Sequence, residues 1–232
     1  MSKIGIIGAM DLEVDALKEQ MKLDKEITRA GMTFCEGTLN DAAVVIVKCG
    51  IGKVNAGMCV QILADLFDVT HIINTGVAGS LNADLDIGDI LISTDAVYHD
   101  FDTTIFGYAP GQVPGTPQAE FIADKHMVEL AMESCKAACP DVTCRSGRVV
   151  TGDQFVSSKD VKERLIHEFG GFCTEMEGCA IAHAATLNNL PFVIIRAISD
   201  KADDSAEMDY PTFERAAAKH SAALVADFVR RL

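Results

Sequence analysis

The chain has 232 residues, 49% of them hydrophobic, with 34 acidic against 20 basic side chains, a formal charge of −14 and a pI near 4.7. That length, with a mean hydropathy of +0.19, suits one large α/β domain over residues 1–232 with a sizeable core. The acidity disfavours phosphate backbones and anionic membrane surfaces, so neither nucleic acid nor a membrane is expected as a partner.

In chain order, "KIGIIGAM" reads as a strand and "DLEVDALKEQMK" as an amphipathic helix, with Asp11 as its N-cap and Glu13 in the first turn. This opening is neither a signal peptide nor a membrane span, because acids follow a short apolar run. "MTFCEGTL" and "AAVVIVKCG", split by Asn40-Asp41, predict a hairpin. "GKVNAGMCVQILADLF" is helical, and "HIINTGVAG" and "DILISTDAVYH" are strands. After Asp100 comes an irregular Gly/Pro-containing stretch, "FDTTIFGYAPGQVPGTPQ". Then follow the helix "FIADKHMVELAMESCKAA", the strand "CRSGRVVTG" and the helix "SKDVKERLIHEF". The last elements are the strand "FCTEME", the helix "GCAIAHAATLNN", the strand "PFVIIRAIS" and a helix from about Pro211 to Leu232.

Near-continuous apolar strands alternating with helices predict a three-layer α/β/α sandwich with a central mixed, largely parallel sheet. Its site is expected where the carboxyl ends of the strands open onto loops. Of the eight cysteines, Cys49, Cys59, Cys173 and Cys179 lie in apolar runs, where a thiol acts as a small hydrophobe. No CxxC occurs, and Cys135, Cys139 and Cys144 lack a Cys/His pair at zinc spacing, so a reduced cytoplasmic protein without metal is expected.

The residues with chemistry fall in three segments. Glu175 and Glu177 flank Met176; on a strand they face one way, about 6.6 Å apart, and repel unless cations, hydroxyls or protons lie between them. A helix N-terminus explains Glu177 adequately and Glu175 poorly. Arg196 interrupts an apolar strand and needs buried acceptors, with Glu175, Glu177 or Glu13 as suppliers. It lies roughly 13 Å from Asp200, too far to pair with it. Ser199 and Asp200 alone read equally well as cap or turn residues. Two glycine-rich stretches, "CGIGKVNAG" and "NTGVAGS", let a ligand approach the main chain. The first is no P-loop, since Val stands at 47 and at 54, and "GIIGAM" is no dinucleotide fingerprint. No cofactor is implied, and His183 reads as a core residue.

Six motifs in order, "GIIGAMDLEVDAL", "GIGKVNA", "NTGVAG", "TGDQFV", "EMEGCAIAH" and "RAISDKAD", span nearly the whole chain. Together they resemble the 5′-methylthioadenosine/S-adenosylhomocysteine nucleosidases of the nucleoside phosphorylase superfamily. That resemblance implies a homodimeric hydrolase that splits the N-glycosidic bond of these nucleosides, with 5′-deoxyadenosine as a further candidate. Glu13 would activate water and Asp200 would protonate N7 of the adenine. Met176 and Glu177 would hold the ribose, with Glu175 beside them, and Gly79, Phe155 and Val156 would border sugar and base. Arg196 and Ser199 would support the water and Asp200. Phe106 and Pro114 would reach the neighbouring subunit's 5′-thio pocket beside Ile51 and Tyr210. Val77 replaces the small hydroxyl residue that many relatives use for phosphate or water. A phosphate-using purine nucleoside phosphorylase, an aminofutalosine-type nucleosidase and an idle nucleoside binder are the alternatives.

Overall fold

Alternate residues along the central strands enter two different cores, which is how a sheet covered on both faces uses a period of two. Ile7, Val45, Val47, Ile72 and Ile194 pack with the helices Lys53–Phe67 and Gly178–Leu187 on one side. Ile6, Val44, Ile46, Ile73, Val193 and Ile195 pack with the helices Asp11–Gln20, Lys125–Ala138 and Ala206–Phe228 on the other. The computed structural model describes residues 2–232. Its elements are β1 (Lys3–Gly8), α1 (Asp11–Gln20), β2 (Lys22–Arg29), β3 (Met32–Leu39), β4 (Ala42–Lys48), α2 (Lys53–Phe67), β5 (His71–Ser80) and β6 (Ile90–Tyr98). They continue as β7 (Phe121–Ile122), α3 (Lys125–Ala138), β8 (Cys144–Thr151), α4 (Lys159–Phe169), β9 (Cys173–Glu175), α5 (Gly178–Leu187), β10 (Phe192–Asp200) and α6 (Ala206–Phe228).

The strands form one mixed sheet in the order β10-β6-β8-β9-β5-β1-β4-β3-β2, with β7 beside β6 and a further β10–β5 pairing. The pairs β1–β4, β1–β5, β10–β5, β6–β8 and β8–β9 are parallel. The β2–β3 and β3–β4 hairpins at one edge, with β10–β6, β5–β9 and β6–β7, supply the antiparallel pairs. The three-layer mixed architecture is thus the one expected.

Four local expectations shift. β2 is a strand that apolar patterning misses, because seven of its eight residues are exposed. Such a charged edge resists pairing with another chain. α3 begins at Lys125, where the Asp124 carboxylate accepts the Met127 N–H at 2.9 Å and caps it. α6 begins at Ala206, five residues before Pro211, which sits in its second turn. The N-cap of α1 is Met10, in an extended conformation, and Asp11 pairs with Lys48 at 2.9 Å instead.

Candidate active site

The carboxyl ends of β1, β5, β9 and β10 meet around a cavity of about 320 Å³. Parallel pairing of β5 with β10 sets Gly79 beside Asp200, after a register shift between Ile198 and Asp200. Such a bulge re-aims the side chain that follows it. The whole "NTGVAGS" stretch is β5 rather than a loop, so its backbone forms a wall of the site.

Glu13 folds back over the start of α1. Its Oε2 accepts the N–H groups of Ala9 and Met10 at 2.6 and 3.0 Å, and Oε1 accepts that of Val77 at 3.0 Å. It is 4% exposed. Burial raises its proton affinity above the ordinary carboxylate value, against the pull of the Arg196 charge and these three donors. Gly76 explains why no side chain intrudes here: a Cβ at that position would collide with Glu13 Oε1 and Arg196 Nη1.

Glu175 and Glu177 are less alike than strand geometry implies. β9 stops at Glu175, and Glu177 is the N-cap of α5. Glu175 forms a buried ion pair with Arg196 and accepts the Thr151 hydroxyl. Its Oε2 also accepts the N–H groups of Glu177 and Gly178 at 3.1 and 2.7 Å, closing the start of α5. Arg196 donates to Asn74 Oδ1 at 2.6 Å. Burial opposes the guanidinium charge, yet Glu175, Glu13 and Glu177 raise its pKa overall. The acceptor that Arg196 requires is therefore Glu175, and Arg196 lies behind the cavity rather than on its lining.

Glu177 points the other way, where Oε1 accepts the Gly52 N–H at 2.8 Å. Burial and then the neighbouring Glu175 charge push its pKa up. Asp200 accepts the Ser199 hydroxyl and the Ala202 N–H, each at 2.8 Å. Burial raises its pKa despite both hydrogen bonds. A Cβ at Gly79 would stand 2.7 Å from Asp200 Oδ1, so glycine leaves that carboxyl its room.

Glu13, Ile51, Gly79, Phe155, Glu175, Met176, Glu177, Ser199, Asp200 and Tyr210 all line the cavity, and Val156 lines a small recess beside it. The Phe155 and Tyr210 rings meet edge to face, 5.6 Å apart, and the Tyr210 hydroxyl lies 3.3 Å from Met10 Sδ. Phe106 and Pro114 are exposed and lie off this cavity. Ala9, Met10, Ala78 and Thr174 line it too, although their residue types hold no chemical signal in the sequence. The supporting Thr151, Asn74 and Gly52 were legible only as members of motifs. Among the described residues no cluster of three or more His, Cys, Asp or Glu is placed to hold a metal ion. What the arrangement offers is three carboxyl groups of raised proton affinity around one cavity, able to take up and deliver protons.

The sequence model of the phosphorylase superfamily matches residues 3–230. The 5′-methylthioadenosine/S-adenosylhomocysteine nucleosidase of Oceanobacillus iheyensis is 43% identical over 99% of this chain and 99% of its own. The structure of the Neisseria meningitidis nucleosidase of the same name, in complex with methylthio-immucillin-A, superposes with a TM-score of 0.96 at 37% identity, covering 100% of both chains. A futalosine hydrolase of Helicobacter pylori superposes with a TM-score of 0.94 at 32% identity, covering 100% of this chain and 98% of that one. The chain belongs to the 5′-methylthioadenosine/S-adenosylhomocysteine nucleosidase family of the phosphorylase superfamily.

Proposed function

We propose that the chain hydrolyses the N-glycosidic bond of 5′-methylthioadenosine and S-adenosylhomocysteine, releasing adenine and the 5-thio-substituted ribose. The observation that carries this reading is the convergence of Glu13, Glu177 and Asp200, from three remote segments, on one cavity. Cleavage leaves positive charge on the sugar and electrons on the purine. A proton delivered to the base and carboxylates beside the sugar both lower that barrier. Glu13, with raised proton affinity, serves as the base that activates water. Asp200, whose burial favours the protonated form, serves as the acid at N7. Met176 and Glu177 hold the ribose, and Gly79, Phe155 and Val156 border the sugar and base. Ser199 orients Asp200, and Arg196 acts through Glu175.

Water is the acceptor rather than phosphate. No Lys or Arg lines the cavity among the described residues, and Arg196 is already paired. Anionic phosphate needs cations and donors. At Val77 the side chain has no hydroxyl, and its N–H is taken by Glu13. The test is to incubate the protein with methylthioadenosine, with and without phosphate, and follow free adenine. Release in both arms is expected, and release only with phosphate overturns the hydrolytic reading. The likeness to a futalosine hydrolase supports a second reading, a bulkier 5′ substituent, which aminofutalosine in the same assay tests.

We also read residues 1–232 as one domain, which the single continuous sheet supports. A homodimer is supported by the apolar residues exposed along α2, Val54, Met58 and Leu66, with Ile51 just before it and Leu187 at the end of α5. In such a dimer Phe106 and Pro114 reach the partner's site. A cytoplasmic location is supported by eight free thiols, and among the described residues no helix is long and apolar enough to cross a membrane.

A further inference from the structure

Just outside the cavity a lysine and two aspartates tie three segments of the chain together. Lys53, the first residue of α2, donates from Nζ to both oxygens of Asp100, at 2.7 and 2.6 Å, and lies 3.6 Å from Asp153 Oδ2. The Lys53 main-chain N–H donates to Asp153 Oδ1 at 2.9 Å, and the Asp153 N–H donates to Asp100 Oδ2 at 2.8 Å. The ammonium also stands 5.5 Å from the centre of the Tyr98 ring at the end of β6. These contacts fasten the start of α2, the residues after β6 and the loop after β8. None of the three charged side chains lines the cavity, yet two of the fastened segments do, through Ile51 and Phe155.

Between Ile51 and Lys53 lies Gly52, whose N–H is the hydrogen-bond donor to the Glu177 carboxylate. Its φ of 97° is open to glycine, and a Cβ there would stand 3.2 Å from Asp153 Oδ1. The amide that holds Glu177 is thus covalently next to Lys53 and packed against Asp153. We propose that Lys53, Asp100 and Asp153 form a latch of positioning residues that sets the Gly52 N–H, and through it Glu177, for recognition of the sugar hydroxyls. This inference rests on Glu177 being the ribose-binding carboxylate.

One ammonium here separates two carboxylates. Without it, Asp100 and Asp153 face each other across a single hydrogen bond and repel, which moves Gly52 and the loop after β8 apart. As stability elements such partly exposed ion pairs count for little. Their effect is local: a displaced donor leaves Glu177 free to turn from its substrate.

The experiment measures adenine release by the full chain from methylthioadenosine and from its 2′-deoxy analogue, for wild type, Lys53→Met, Asp153→Ala and Asp153→Asn. Lys53→Met and Asp153→Ala are expected to raise KM for methylthioadenosine about tenfold, the scale of one charge-assisted hydrogen bond, with kcat little changed. The preference for the ribo- over the deoxy-substrate falls by a similar factor. Asp153→Asn keeps the acceptor for the Lys53 N–H, removes one repelling charge and retains the preference. Thermal midpoints stay within about 4 °C of wild type. Unchanged KM and unchanged preference in Lys53→Met and Asp153→Ala overturn the latch, as does an equal loss toward both substrates. Should Lys53→Met not fold, the Asp153 pair decides alone. A wild-type protein that releases no adenine from methylthioadenosine defeats the reading of the site itself, and the latch with it.

Discussion

Two sets of buried charged groups share this site and are held in opposite ways. On the cavity wall Glu175 is ion-paired with Arg196 behind it, and Thr151, Asn74 and the first N–H groups of α5 satisfy most of what remains. Around the cavity, Glu13, Glu177 and Asp200 are as deeply buried, but their oxygens meet only N–H groups and one hydroxyl. The proton affinities of these three are all raised, with burial the first cause. Burial is common to both sets, so partner type separates them. A cation locks a carboxylate into structure, whereas neutral donors hold its position and leave its proton exchangeable.

Removing either exchangeable proton should have the largest effect. Glu13→Gln and Asp200→Asn are each expected to lower kcat for methylthioadenosine by about 10²–10⁴-fold, the span of general acid–base catalysis. The pH–rate profile gives the signs. As the proposed base, Glu13 works ionised, so the rate should fall as pH drops through its raised value. As the proposed acid, Asp200 works protonated, so the rate should fall as pH climbs through its own. Asp200→Asn should therefore erase the alkaline limb, and a profile left unchanged would defeat its assignment as the acid.

Breaking the paired set should cost stability before chemistry. Arg196→Met strands Glu175 in the interior and is expected to lower the unfolding free energy by about 3–5 kcal/mol in urea denaturation. The double variant Arg196→Met/Glu175→Gln should recover part of that loss, since no uncompensated charge remains. If the single variant unfolds like wild type, the ion pair is not what holds the strand ends together.

Gly76→Ala probes the boundary between the two sets, because its Cβ lands between Glu13 Oε1 and Arg196 Nη1. A loss of about 1–3 kcal/mol in stability is expected from overpacking, with activity falling alongside. The smallest effect is a gain. Asp200 has a raised pKa, so its burial costs native stability progressively as pH climbs from the ordinary carboxylate value to the raised one; the full cost is present above that, and none below the ordinary range. Asp200→Asn should accordingly raise the thermal midpoint by a few degrees at pH 8, about 1 kcal/mol, and by less at pH 5. A gain of equal size at both pH values would mean that ionisation is not its source.

How much of this was legible depended on the kind of signal. Runs such as "PFVIIRAIS" announced buried strands because both faces of the sheet are covered, and β10 is buried at every position. β2 was illegible because an exposed edge strand has no apolar period to read. The demand of Arg196 for a carboxylate was legible from its place in an apolar run, but three acids were eligible. Glu175 won through the turn after β9, which sends Glu177 to Gly52 instead. Asp11 looked like the cap of α1, yet Met10 takes that place and Glu13 supplies the returning acceptor.

From its own pattern of apolar runs, glycines and isolated charges, the sequence by itself determined the alternation of strands and helices, the burial of both sheet faces and the identity of the acids. Those properties are local, set by side-chain period and by the cost of burying charge. Only the tertiary structure decided which acid is paired and which stays exchangeable. That outcome depends on distances among residues far apart in the chain, and the pairing of β1, β9 and β10 with β5 brings those residues together.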